Sequence, residues 1–171
     1  MTRILGIDPG SRWTGYGIVD VGHGQQRHVA SGRIAAGDGE IPQRLVAIDT
    51  QLSALVREYA PEEVAFEEVF VSRNVRSALV LGQARGVALC VVARARLPIA
   101  EYAASQVKMA LTGSGRAEKE QVQHMVRILL GLNNRLAADA ADALAVALTH
   151  AQVRSTHLRA GVPFPRSWRR R

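Results

Sequence analysis

The stretch Arg3-Ile4-Leu5-Gly6-Ile7-Asp8-Pro9-Gly10-Ser11 decides how the rest of the chain is read. Its apolar run predicts a strand over residues 3–8, and Pro9-Gly10 turns the chain sharply at its end. An acid closing such a strand lies at a sheet edge, where α/β proteins build their sites. Aspartate is also favoured before Pro-Gly simply as a turn residue, so Asp8 alone leaves both readings open.

Working outward, residues 15–21 and 27–34 read as two strands around a polar, glycine-containing loop, giving an antiparallel meander with the first. Residues 42–59 predict a helix, with Pro42 in its first turn. Leu45, Ile48, Leu52, Leu55, Val56 and Tyr59 recur on one face of it. A strand over 64–69 follows, then an alanine-, valine- and leucine-rich helix over 76–95, expected to be mostly buried. A strand over 98–102, a short helix over 104–111, a loop over 112–115 and helices over 117–130 and 135–152 complete the pattern. Strands first, then strands and helices in alternation, predict an α/β fold: a mixed sheet covered by helices. Gly82 and Gly86 either seat their helix against its own sheet or admit a helix of a second subunit.

The 171 residues suit one domain, and hydrophobic residues at 47% exclude wholesale disorder. No apolar run approaches the roughly 18 residues of a membrane span, and the N-terminus lacks the regions of a signal peptide, so a cytoplasmic protein is expected. The lone Cys90 lies in an apolar run and reads as a small core residue. The net charge is +7, but residues 154–171 hold six arginines and no acid, and without them 16 basic residues face 15 acidic ones. The expected organisation is therefore a body over 1–153 and a basic, flexible tail over 154–171.

Three further acids stand out. Glu67 lies in Val64-Ala65-Phe66-Glu67-Glu68-Val69-Phe70, and alternation puts it and Glu68 on opposite faces of a strand. An ionised carboxylate there is costly unless paired or bound to a metal. An edge strand with one solvated glutamate is the alternative. Asp139 and Asp142 stand three apart among alanines, on one face of a helix. Two acids on a packing face repel each other and lose hydration, and a divalent cation relieves both penalties. A solvated acidic stripe, with Arg135 partnering Asp139, is the other reading. Asp8, Glu67, Asp139 and Asp142 together form an all-oxygen donor set, suited to magnesium or manganese rather than zinc.

Gly6-Ile7-Asp8-Pro9-Gly10-Ser11 with Thr14-Gly15-Tyr16-Gly17, Phe66-Glu67-Glu68-Val69-Phe70, Leu81-Gly82-Gln83-Ala84-Arg85-Gly86-Val87, Glu101-Tyr102-Ala103-Ala104, Glu118-Lys119 and Ala138-Asp139-Ala140-Ala141-Asp142-Ala143-Leu144-Ala145 resemble, in this order, the RuvC-type Holliday junction resolvases. The resemblance covers about residues 3–150. It implies a ribonuclease-H-like mixed five-stranded sheet flanked by helices. It implies a homodimer that makes paired, symmetric nicks in four-way junction DNA and works beside the RuvA-RuvB branch-migration complex, with no membrane involved. It implies two Mg2+ ions per site, with Mn2+ as a substitute, held by Asp8, Glu67, Asp139 and Asp142 as catalytic ligands. Phe70 corresponds to a phenylalanine that contacts bases at the crossover. Arg73, Arg76, Lys108, Arg116 and Lys119 are its expected DNA contacts, and Lys108 and Lys119 are the only lysines in the chain. A nuclease acting on structured RNA, an actin-like phosphotransferase and a non-catalytic junction binder are the competing classes. The second has no room in 171 residues for its usual second domain, and the third would gain from losing its acids near phosphates.

Overall fold

Strand β1, Thr2–Asp8, is the centre of a five-stranded sheet. The computed structural model describes residues 1–68 and 74–162. On one side β1 pairs antiparallel with β2, Trp13–Gly22, which pairs antiparallel with β3, Gln25–Ala35. On the other side β1 pairs parallel with β4, Glu63–Glu67, and β4 pairs parallel with β5, Ile99–Tyr102. The order is therefore β3-β2-β1-β4-β5, with the predicted meander at one edge. His23 and Gly24, both at positive φ, close the β2–β3 hairpin.

Helices α1, Ile41–Tyr59, and α2, Val75–Arg94, cover one face. Their apolar sides meet Leu5, Ile7, Ile18, Val64 and Phe66 of the strands. Helices α3, Ala104–Thr112, α4, Lys119–Leu130, and α5, Ala138–Ala160, cover the other. They meet Ile4, Val19, Ala65, Ala100 and Tyr102. Period-2 alternation explains the division: even residues of β1 and odd residues of β4 face α5.

α5 lies unusually close to the sheet. A Cβ on Gly6 would fall on the Ala143 carbonyl, one on Gly15 on the Asp139 carbonyl, and one on Gly17 against Leu144. The alanines on α5 complete the fit, since Ala140, Ala141, Ala143, Ala145, Ala147 and Ala151 are all buried. These absent side chains fix the height and register of the helix over β1 and β2.

Three expectations need correction. The last helix does not stop near residue 152 but runs to Ala160, so Arg154 and Arg159 are helical and only the later part of the expected tail lies past α5. Arg154 is anchored by its Nε–Glu63 Oε1 contact of 2.9 Å. Cys90 is exposed rather than a core residue. The α2 helix is not the mostly buried one expected: only 22% of its apolar window is buried, and by length and composition alone it could cross a membrane. Its inner face, Ala84, Ala88, Val91 and Val92, belongs to the core. Its outer face shows Val75 at 70% and Leu79 at 64% exposure, with Cys90 further along. Gly82 and Gly86 also face open space, so they do not seat the helix on its own sheet.

Candidate functional site

β1 and β4 run side by side, and the register Ile7↔Phe66 brings their last residues, Asp8 and Glu67, level with each other. Both carboxylates fall on the α5 face by alternation. There the first turns of α5 present Asp139 and Asp142, one helical turn apart. Acids in the first turn of a helix sit favourably against its dipole, and the glycine contacts hold this end of α5 down on β2. Four acids distant in sequence thus converge at the carboxyl ends of two parallel strands.

The electrostatics mark a shortage of positive charge. Burial pushes the Asp8 carboxyl up to about 7, and the neighbouring charges of Glu67, Asp142 and Asp139 add to it. Burial and the charge of Asp142 raise Glu67, against the opposing pull of Lys119 and Lys108. Lys119 Nζ stands 2.6 Å from Asp142 Oδ2, and this bond raises the lysine's affinity for its proton. Asp139 has Arg33 as an ion partner, Nη1 to Oδ2 at 3.8 Å, rather than the neighbouring Arg135. Among the described residues no three acid, histidine or cysteine side chains close around a single point tightly enough to hold an ion as they stand. The donor set nevertheless fits a hard divalent cation: it is all oxygen, its most buried member is destabilised as an anion, and Lys119 opposes that destabilisation.

Glu67 and Asp142 open into a cleft of about 220 Å3, lined also by Lys108, Lys119, Val107 and Val122 from α3 and α4. Lys108 and Lys119 therefore line one wall of the acid cluster. Arg116 is exposed in the loop before α4, and Arg76 is exposed in the first turn of α2; neither lines the cleft. Phe70 and Arg73, like Val69 at the end of the expected strand, lie outside the described residues.

The sequence reading missed the arrangement on the other wall. Trp13 opens β2, 42% exposed, and the Arg33 guanidinium lies 4.4 Å from its ring centroid. It also missed a buried chain that runs from Tyr102, level with Glu67 on β5, back to Glu63 at the start of β4. Tyr102 OH lies 2.8 Å from His150 Nδ1, His150 Nε2 lies 2.8 Å from Glu63, and Arg154 completes the chain. Burial raises the Tyr102 hydroxyl well above the ordinary phenol range.

With this geometry established, likeness to known proteins becomes decisive. Residues 4–150 match the family model described as crossover junction endodeoxyribonuclease RuvC. The chain belongs to the RuvC family. It is 53% identical over 173 residues to the crossover junction endodeoxyribonuclease RuvC of Xanthomonas campestris pv. campestris (strain B100), covering 100% of this chain and 99% of that one. The RuvC of Xylella fastidiosa (strain 9a5c) is 52% identical over 100% of both chains. Among solved structures, Thermus thermophilus RuvC in complex with a Holliday junction substrate superposes with a TM-score of 0.84 at 35% identity, covering 94% of this chain and 97% of that one. The yeast mitochondrial Holliday junction resolvase, at 14% identity and a TM-score of 0.67, shares the fold. The fold is thus the ribonuclease-H-like one of RuvC, and the chain is a crossover junction endodeoxyribonuclease. Nucleases of the RuvC family are metal-dependent.

Proposed function

We propose that this chain resolves four-way DNA junctions as a homodimer, by paired magnesium-dependent nicks in strands of like polarity, with the cytoplasm as its compartment. The observation that carries the proposal is the level placement of Asp8 and Glu67 beneath Asp139 and Asp142, with Asp8 pushed up to about 7. Asp8, Glu67, Asp139 and Asp142 hold two Mg2+ ions, with Mn2+ as a substitute. Bound there, the ions supply charge for water activation and for the leaving oxygen of an in-line phosphodiester displacement.

The protein's own groups do the rest. Lys108 and Lys119, on the cleft wall, neutralise the phosphate approaching the acids. Lys119 balances Asp142. Buried Leu5, Ile7, Val64 and Phe66 make β1 and β4 a rigid platform for Asp8 and Glu67. Phe70 stacks on a base at the opened crossover, and Arg73, Arg76 and Arg116 contact the DNA backbone.

A junction is close to two-fold symmetric, and a C2 dimer offers one site to each of two opposing strands. The outer stripe of α2, Val75, Leu79, Gly82, Gly86 and Cys90, suits the pairing of two such helices because it is apolar, small and open. The RuvA-RuvB complex is the expected supplier of the junction.

The test is incubation with a mobile four-way junction, with and without magnesium, and mapping of the nicks. Symmetric paired nicks that stop with a chelator are expected, and activity retained in chelator overturns the proposal. Sedimentation should give a mass near twice 18.5 kDa. Mixed dimers with one Asp8→Asn subunit should nick once without resolving; a monomer that still cuts both strands in one binding event would overturn the dimer.

A further inference from the structure

The acid cluster has two walls, and only one of them carries lysine. On the opposite side, β2 and β3 project Trp13 and Arg33 onto the face covered by α5, since Trp13 shares the parity of Gly15 and Arg33 pairs with Gly15. Gly15 lies under the Asp139 backbone, so this pair flanks the start of α5. Trp13 is a large apolar side chain left 42% exposed, and it belongs to neither hydrophobic cluster. A tryptophan placed for core packing would be covered. Arg33 is pinned weakly: its 3.8 Å approach to Asp139 is longer than a direct hydrogen bond, and its side chain is 42% exposed. Arg12 is exposed beside Trp13, and Arg44 donates to the Ser11 carbonyl, so the rim is basic.

We propose that Trp13 and Arg33 form a second, aromatic-cationic grip for the DNA strand, on the side of the acids away from Lys108 and Lys119. This rests on the resolvase reading above. An exposed indole with a guanidinium against it offers a flat face for an unpaired base or a sugar, and the guanidinium's free N–H groups suit a phosphate. A strand seated on both walls is held on each side of the acid cluster, which fixes the phosphate between them.

The chain's second tryptophan is Trp168, so a Trp168→Phe background makes Trp13 the sole indole reporter. Titration of that protein with a four-way junction in chelator should quench the Trp13 fluorescence; an unchanged signal at saturating junction overturns the proposal. Trp13→Ala should weaken junction binding by about 5- to 160-fold, the range of a lost base stack, with an unchanged melting midpoint. Arg33→Gln should reduce the slope of log affinity against log salt by about one, as loss of a single phosphate contact does. Unchanged affinity in the first and an unchanged slope in the second would reduce the pair to a surface feature. Failure of the unaltered protein to bind a junction removes the resolvase reading itself, whereas binding and nicking with insensitive variants removes only this grip.

Discussion

Strand β4 carries a glutamate at each end, both facing α5, and the two live under opposite rules. At its start, burial opposes the charge of Glu63, but hydrogen bonds from His150 and Arg154 overcome it and hold the carboxyl below the usual range. At its end, four residues on, burial and Asp142 raise Glu67, with two lysines only partly offsetting them. One end is a completed ion-pair network that ties α5 to the sheet. The other is held short of cations by the same scaffold. An acid that stabilises the fold is surrounded by its partners; an acid kept for chemistry is denied them.

Neutralising the unpaired end should have the largest effect on activity and the smallest on stability. Asp8→Asn and Glu67→Gln should each slow nicking by about 1,000-fold or more, the scale of lost charge stabilisation at a metal-assisted phosphodiester displacement. Their metal-free melting midpoints should stay level or rise, since a repelling charge is gone. A variant that nicks at near-normal rate removes that acid from the ligand set.

Glu63→Gln should do the reverse. Losing charge-assisted hydrogen bonds to two partners should cost about 2–3 kcal/mol, read as a lower midpoint in thermal unfolding. Nicking per folded molecule should hardly change. Equal stability would show that the network is ornamental.

The two ends should also respond to pH with opposite signs. Folded Asp8 keeps its proton to about 7, whereas an unfolded aspartate releases it near about 3.9. In that interval the folded chain holds the extra proton, so metal-free stability should fall as pH rises from about 4 to about 7. Asp8→Asn should flatten that decline. The lowered Glu63 contributes stability above the ordinary glutamate range, lost as pH falls through its folded value. A metal-free midpoint that does not decline between those values contradicts the burial assigned to Asp8.

The smallest effect concerns Lys119. Its side chain is 55% exposed, so Lys119→Gln should destabilise the metal-free protein by no more than about 1 kcal/mol. Added magnesium should abolish the difference, because the cation then balances Asp142.

Much of this was legible in the sequence. Every strand announced itself by alternation or by an apolar run, and Asp8, Glu67, Asp139 and Asp142 stood out because each contradicted its apolar surroundings. What escaped were relations across the fold. Glu63, His150 and Arg154 are unremarkable one by one, and contacts spanning 87 and 91 residues leave no local pattern. Trp13 and Arg33 meet only through strand register. Residues 154–160 misled because arginines on the last turns of a helix and arginines in a loose terminus have the same composition. Cys90 misled because the run over residues 87–92 around it is wholly apolar, and within it no periodicity separates the side facing the core from the side left open.

The glycines under α5 carry a final consequence. Gly6, Gly15 and Gly17 leave no clearance for even one methyl group before helix backbone or a leucine is struck. Asp139 and Asp142 ride on that helix, so the spacing of the acids is set by atoms that are missing. A single methyl added at Gly6 or Gly15 would jack α5 off the sheet and spread the cluster with all four carboxylates intact. The protein can thus be disabled as an instrument is, by losing its alignment while keeping every part.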